Sequence, residues 1–263
     1  MRALAHNPRI LLLTALSLVG LSSPALPQSE TELAALGSYA AVLSRYVDGG
    51  DVRYGLLATE NPPEWRRYLE WLEEARPETM TVNERRAFWI NAYNARVIAG
   101  VLERYPIDSV RDVGFFGGRV RGFFTRRVHP VAGEMRTLDE IEDEILFQPP
   151  LWDPRIHFAL NCAARSCPKL RSEPYDVARL DTQLDFQART FLNGPDGHRI
   201  DPAARVLYVS RVLKWYREDF ERAAGSLREY LMRNLTADAS SAAANPEWEI
   251  GYLDYDWSLN DFL

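Results

Sequence analysis

The chain predicts an α+β fold, a helix-rich single domain around a small, mostly antiparallel sheet. Three observations carry this reading. The composition is that of an ordinary globular protein, with 46% hydrophobic and 26% charged residues over 263 positions, long enough for one large domain. Several stretches repeat apolar residues at helical spacing between cap and stop signals. The segments of β character are short and punctuated by glycine turns.

Taken in order, Arg2 and Arg9 flank the start of an apolar run over residues 10–21, and Ser23-Pro24-Ala25 offers small residues for cleavage. This predicts a secretory signal peptide over residues 1–25, because the run is short for a membrane span. No cysteine follows the run, which excludes a lipoprotein anchor. The mature domain, 31–263, is therefore expected to be periplasmic or secreted, with no membrane association after signal cleavage. The net charge of −6 becomes more negative once Arg2 and Arg9 are lost. An acidic chain without a basic stripe is not built for nucleic acid or an anionic membrane surface.

A first helix over 31–47 places Leu33, Leu36, Ala40, Leu43 and Val47 on one face, and Gly49-Gly50-Asp51 stops it. A second opens with Asn61 as cap and Pro62 at its first position, with Trp65, Leu69 and Leu72 as its stripe. The third starts at the capping box Thr81-Val-Asn-Glu84 and runs to about Arg104, before Tyr105-Pro106. Glu84, Ala87, Phe88, Asn91, Asn94, Ala95, Ile98 and Leu102 share its buried face, and Arg85, Arg86, Tyr93, Arg96, Glu103 and Arg104 fall opposite. The capping box accounts for Glu84. Asn91 and Asn94 are poor helix formers on an apolar face, so they either pin a neighbouring loop or line a site.

Residues 115–133 read as two or three short strands, with His129 at a strand end. Thr137-Leu-Asp-Glu140 is a second capping box, opening a helix through Ile141, Ile145 and Leu146. Further on come an amphipathic helix over 180–192, a strand over 205–213, and helical sequence over 215–235 broken near Gly225. An Ala/Ser-rich connector spans 237–245, and the aromatic stretch 252–261 is expected to pack back on the domain.

The chemistry concentrates in Asp153-Pro-Arg-Ile-His157-Phe-Ala-Leu-Asn-Cys162-Ala-Ala-Arg-Ser-Cys167-Pro, which holds both cysteines of the chain. Residues 156–162 read as a buried strand that carries His157 and ends at Cys162. A thiol at a strand-to-loop junction, with an imidazole nearby, is the minimum equipment for a cysteine nucleophile and its base. On a flat strand the odd separation turns His157 and Cys162 to opposite faces, so a bend near Asn161 is needed for them to meet. Cys167 reaches His157 with less constraint, and geometry leaves both thiols open. A Cys162–Cys167 disulfide would close only a small loop, contributing about 2 kcal/mol. Structural disulfide, functional thiol and inert thiols all stay open, and a redox pair is disfavoured because the spacing is not C-x-x-C. No C-x-x-C or H-E-x-x-H pattern, no G-x-S-x-G turn and no phosphate-cradling glycine pattern occurs, so neither metal nor cofactor is expected.

The runs Glu84-Arg-Arg-Ala-Phe-Trp-Ile-Asn91-Ala-Tyr-Asn94-Ala, Thr137-Leu-Asp-Glu-Ile, and His157-Phe-Ala-Leu-Asn-Cys162 through Ser166-Cys167-Pro resemble domain of unknown function family 547. Leu213-Lys-Trp-Tyr-Arg-Glu-Asp-Phe220 and Tyr255-Asp-Trp257-Ser-Leu-Asn are similar to its later elements. The resemblance implies a papain- or transglutaminase-like cysteine-peptidase architecture with Glu84, His157 and Cys162 as the triad. The order Glu, His, Cys makes the site permuted, because papain-like enzymes place the cysteine first. The resemblance favours Cys162 over Cys167 as nucleophile.

The expected function is an exported cysteine-dependent hydrolase or acyl transferase, acting on a peptide-like or acyl substrate. Cys162 attacks a carbonyl, His157 moves the proton, Glu84 or Asn91 orients the imidazole, and backbone amides after Cys162 hold the oxyanion. Asn94 and Cys167 complete the candidate site. The alternative is a non-catalytic binding or assembly module with a structural Cys162–Cys167 disulfide and a protein partner.

Overall fold

Thr81 and Glu84 open the longest helix. The Thr81 amide donates to Glu84 Oε2 (2.7 Å) and the Glu84 amide to Thr81 Oγ1 (3.4 Å), so two of the helix's orphan donors are satisfied. In this computed structural model, which describes residues 30–113 and 121–262, that helix is α4 (Val82–Leu102). The signal peptide expected over 1–25 and the first part of the strands expected over 115–133 lie outside the described residues; of the rest, 121–124 is helical, because no described strand pairs with it there, and 129–131 is a strand. Beyond its first turn, α4 is buried almost all round, Tyr93 and Arg96 included, so it is a central helix and not an amphipathic one. The face assigned to solvent is occupied: Arg96 donates to the carbonyls of Leu69 and Pro130.

Helices α1 (Glu30–Tyr46) and α3 (Pro63–Glu74) pack against each other, with Tyr39 stacked on Tyr68 at 4.2 Å. The buried face of α1 is built on Tyr39, Val42, Leu43 and Tyr46, while Leu33 is 54% exposed. Tyr39 and Tyr46 thus join Leu43 and Val47 of the expected stripe, whose N-terminal Leu33 is left out. Between the two helices lie the hairpin β1 (Val47–Asp48) and β2 (Asp51–Val52), turned by Gly49 and Gly50 at positive φ, and a short helix, α2 (Tyr54–Glu60). Asn61 therefore ends α2 in the left-handed conformation, and Pro62 caps α3.

After α5 (Arg121–Phe124) comes the antiparallel hairpin β3 (His129–Val131) and β4 (Glu134–Arg136). The second capping box is present, each of Thr137 and Glu140 bonding the other's amide at 2.9 Å, but it opens a π-helix, Glu140–Leu146. Widened turns of this kind are frequent at functional sites.

The second half gathers α6 (Leu180–Leu192), β5 (His198–Asp201), β6 (Val206–Val209), α7 (Val212–Trp215), α8 (Arg217–Ala224), α9 (Leu227–Asn234), α10 (Ala237–Ala244) and β7 (Glu249–Tyr252). β6 is central, antiparallel to β5 and parallel to β7, in one small sheet. Gly225, at φ 96°, separates α8 from α9. The Ala/Ser-rich stretch is a helix, not a connector: alanine is the best helix former, and Ala239, Ala242 and Ala243 bury against the second of two apolar clusters. The first cluster surrounds α4. No helix among the described residues is long and apolar enough to cross a membrane. The architecture is α+β, as the sequence indicates.

Residues 253–262 run back across the molecule as a strap. The Ser166 and Arg165 amides donate to the Asp256 and Ser258 carbonyls (3.2 and 2.9 Å), and the Asn260 amide donates to the Ala163 carbonyl (3.3 Å). On its other side the strap pairs with β2, through Val52 N–H to Asn260 O (2.8 Å). Three asparagines fix the cysteine loop between strap and helix. Asn94 donates to the Ala159 carbonyl (2.9 Å) and accepts the Asn161 amide (2.9 Å). Asn161 donates to the Pro168 carbonyl (2.8 Å) and accepts from the Ala163 amide (3.0 Å) and from Asn260 Nδ2 (3.3 Å). All three are buried.

Asn94→Ala strands a buried amide and a buried carbonyl, each costing about 1–3 kcal/mol. Urea denaturation should show a loss of about 2–4 kcal/mol, against less than about 1 kcal/mol for the exposed Asn83→Ala.

Candidate active site

His157 does not sit on a strand. Asp153 accepts the Arg155 amide on Oδ1 (2.9 Å) and Pro154 takes the first position, which is the chemistry of a helix start. The result is a 3-10 helix, Pro154–Phe158, followed by an irregular loop. This helix-start signal overrides the apolar run, and the even–odd argument for a strand no longer applies. Cys162 lies in that loop, and Ala163 after it is fully buried at φ 58°, a left-handed conformation that costs a non-glycine residue about 1 kcal/mol.

The His157 side chain is 1% exposed and clamped between Phe147 and Tyr216, at ring separations of 3.9 and 4.0 Å. Its Nε2 lies 2.9 Å from Asp219 Oδ2 in α8. An ionised carboxylate only accepts, so the proton sits on Nε2 and Nδ1 carries the lone pair. That Nδ1 is buried without a hydrogen-bond partner. Burial lowers the proton affinity of the ring, against the opposing pull of Asp219. The hydrogen bond from His157 in turn holds the Asp219 carboxyl below its ordinary value, aided by Trp152 Nε1 (2.7 Å). Glu84 has no part in this. It is committed to the α4 cap, and Asp219 takes the place proposed for it. Asn91 is likewise a pin, exchanging two hydrogen bonds with the Tyr175 backbone (2.8 and 2.9 Å) and making none with His157.

Both cysteines are free thiols in this structure, and they are not equivalent. Burial pushes the half-buried Cys162 thiol up, but hydrogen bonds from Cys167, from Tyr255 (Oη–Sγ 3.2 Å) and from the Ala164 amide outweigh it, leaving it below the ordinary thiol value. Burial and the adjoining Cys162 sulfur push Cys167 far up. Cys162 is thus the acid of the pair, and Cys167 its proton-bearing donor. The amides expected to form an oxyanion hole are already engaged. The Cys162 N–H donates to Cys167 Sγ (2.8 Å), that of Ala163 to Asn161 Oδ1, and those of Arg165 and Ser166 to the strap. The donors left facing the sulfur are the Ala164 amide and the Tyr255 hydroxyl, beside the Cys167 thiol.

Cys162, Cys167 and His157 line one cavity of about 240 Å³, set where the two apolar clusters meet. The sequence placed these three in one segment but could not show which residues enclose them. Tyr93 reaches the cavity from the α4 face assigned to solvent, Trp215, Tyr216, Tyr255 and Trp257 come from the C-terminal third, and Asp139 and Glu142 from the π-helix. Burial pushes the Glu142 carboxyl up to about 7, against hydrogen bonds from Tyr216 Oη (2.6 Å) and from Tyr93. The signals for Asp219, Tyr255 and Glu142 were their places in or beside the runs that resemble the family, without any spacing that ties them to His157. Among the described residues no cluster of side chains suits a metal ion.

Glu142 binds its proton more tightly in the folded chain than at the ordinary carboxylate value of 4.5, so stability falls as pH rises from about 4.5 through about 7. Glu142→Gln keeps the acceptor for Tyr216 and removes that loss. Thermal or urea melts should find the variant more stable than the native chain at pH 8, by about 1–3 kcal/mol, with the gap closing towards pH 4.5.

No curated protein and no solved structure matches this chain. Asp219 and Tyr255 lie beyond the one segment that a family model recognises. Residues 77–192, which carry α4, the π-helix, His157 and both cysteines, match the family described as protein of unknown function, DUF547, and this supports placing the central segment of the chain in that domain family.

Proposed function

We propose that the protein is a cysteine-dependent hydrolase or acyl transferase of the exported compartment, with Cys162 as nucleophile, His157 as base and Asp219 as the group that orients it. One observation carries this reading: a buried imidazole whose Nε2 is taken by a carboxylate and whose Nδ1 is unpartnered lines the same cavity as a thiol held below its ordinary pKa. A purely structural histidine has no need of an orphaned acceptor, which costs about 1–3 kcal/mol to bury.

In the proposed reaction Cys162 Sγ bonds to a carbonyl carbon while His157 Nδ1 takes the thiol proton, and Asp219 stabilises the imidazolium. The tetrahedral oxyanion forms beside the Tyr255 hydroxyl, the donor already 3.2 Å from the sulfur. Collapse breaks the bond to the leaving group, which departs with the proton from His157. Water or an acceptor nucleophile then releases the acyl group, and the thiol is restored. Cys162 and His157 make no direct hydrogen bond here; such contacts are commonly long in ligand-free sites and tighten when substrate binds. The cysteine-peptidase likeness and the export signal belong to the same proposal, the latter resting on residues 1–25 alone.

The first test is the thiol state by alkylation and intact mass, with and without reductant. Free Cys162 should alkylate readily near neutral pH, and Tyr255→Phe, which removes a donor to the thiolate, should slow that reaction several-fold at pH 7. A Cys162–Cys167 disulfide in the exported protein would instead favour a binding module. Against an activated aryl ester, Asp219→Asn should lower kcat/KM by about 10²-fold or more while the fold is kept. Glu84→Gln, which can still close the capping box, should stay within about two-fold.

A further inference from the structure

The walls of the active-site cavity are chemically one-sided. Tyr93, Phe124, Trp215, Tyr216, Tyr255 and Trp257 present aromatic rings, and Trp215, Tyr255 and Trp257 form a cluster with centroids 4.6–5.8 Å apart. Ring faces carry negative electrostatic potential and attract cations within about 6 Å. Glu142 adds a carboxyl, and no Lys or Arg occurs among the described lining residues. His157 supplies no compensating charge, because burial favours its neutral form and its unpartnered Nδ1 is an acceptor.

The groups that act on Glu142 are equally one-sided. Tyr216 and Tyr93 donate hydrogen bonds from α7's end and from α4, while Asp143 and Asp139 on its own π-helix oppose its ionisation. Cys162 across the cavity feels Glu142 as a like charge. Among the described residues no basic side chain pairs with Glu142. Phenol donors thus prepare a carboxylate for which the described residues provide no counter-ion, among aromatic side chains.

We propose that this cavity receives a cationic ammonium group of the substrate, seated on the aromatic walls with Glu142 as its counter-ion. The proposal rests on the active-site reading above and names the class of substrate: an ester, amide or acyl acceptor that carries an ammonium group close to the reacting carbon. The Tyr255 ring is both part of the aromatic cluster and hydrogen-bonded to Cys162 at 3.2 Å, which sets the cation within a few bonds of the nucleophile. A bound cation favours the ionised carboxyl, so binding below about pH 7 must expel the Glu142 proton.

Choline and its uncharged isostere 3,3-dimethylbutan-1-ol separate charge from shape. Calorimetric titration of the full chain should find choline at least about tenfold tighter than the alcohol. Its heat should depend on the buffer's ionisation enthalpy at pH 6 and not at pH 8. Glu142→Gln should remove both the preference and the buffer dependence, with a thermal melt to show that the variant is folded. Equal binding of the two probes, binding of neither, or a preference that survives in Glu142→Gln would overturn the inference. Because the readout is binding, Cys162→Ser protein serves equally well. Cation binding without an activated thiol would defeat the catalytic reading alone, and an activated thiol without cation preference would defeat this inference alone.

Discussion

The cysteine loop exists in its observed shape because three buried amides agree on it. Asn94 in α4, Asn161 in the loop and Asn260 in the strap form one connected set, each satisfying backbone groups that the irregular path leaves without secondary-structure partners. A loop with this much buried backbone is otherwise unaffordable, since every orphaned polar group costs about 1–3 kcal/mol against a net folding stability of about 5–15 kcal/mol. The left-handed backbone at Ala163 persists within the same frame. Tyr54 extends it, donating to Asn260 Oδ1 (3.0 Å), so the first hairpin region, the central helix, the loop and the strap are coupled through a few side-chain contacts.

Within that frame, the number of donors decides what burial does to each acid. Glu142, Cys162 and Cys167 line one cavity, and desolvation is the largest influence on all of them. Cys162 gathers enough donors from Cys167, Tyr255 and Ala164 to reverse the effect. Glu142, with two phenols but acidic neighbours, ends near neutrality. Cys167 has the ionisable Cys162 beside it and stays protonated. Two chemically identical thiols and a carboxyl are thereby pushed apart, one thiol below its ordinary value, the other far above it, and the carboxyl to about 7, the kind of separation that perturbed sites display.

Much of this was legible in the chain. The α4 capping box, the 180–192 helix, the break at Gly225 and the return of the aromatic C-terminus follow from local chemistry, and local chemistry is what a sequence carries. The errors have physical causes. The run from Ile156 reads as a strand by apolarity, yet Asp153-Pro154 starts a helix there. Tyr93 and Arg96 look solvent-facing on a helical wheel because a wheel assumes one exposed side, and α4 has almost none. Ala/Ser composition suggests a loose linker, whereas small residues let α10 sit close to the sheet. Glu84 was a plausible partner for His157 only while nothing fixed distances across the fold. Asp219 is 62 residues from His157 along the chain, and no periodicity encodes a contact at that range.

The strap also orders events in time. Tyr255 is 93 residues downstream of Cys162, and the loop's outer hydrogen bonds come from Asp256, Ser258 and Asn260. During synthesis the cysteine segment therefore emerges long before Tyr255, one of the groups that acidify its thiol. Until the strap docks, Cys162 lacks its phenol donor and behaves as a less acidic cysteine of a partly folded chain. The depressed thiol pKa is thus a property of the completed fold and not of the cysteine segment alone.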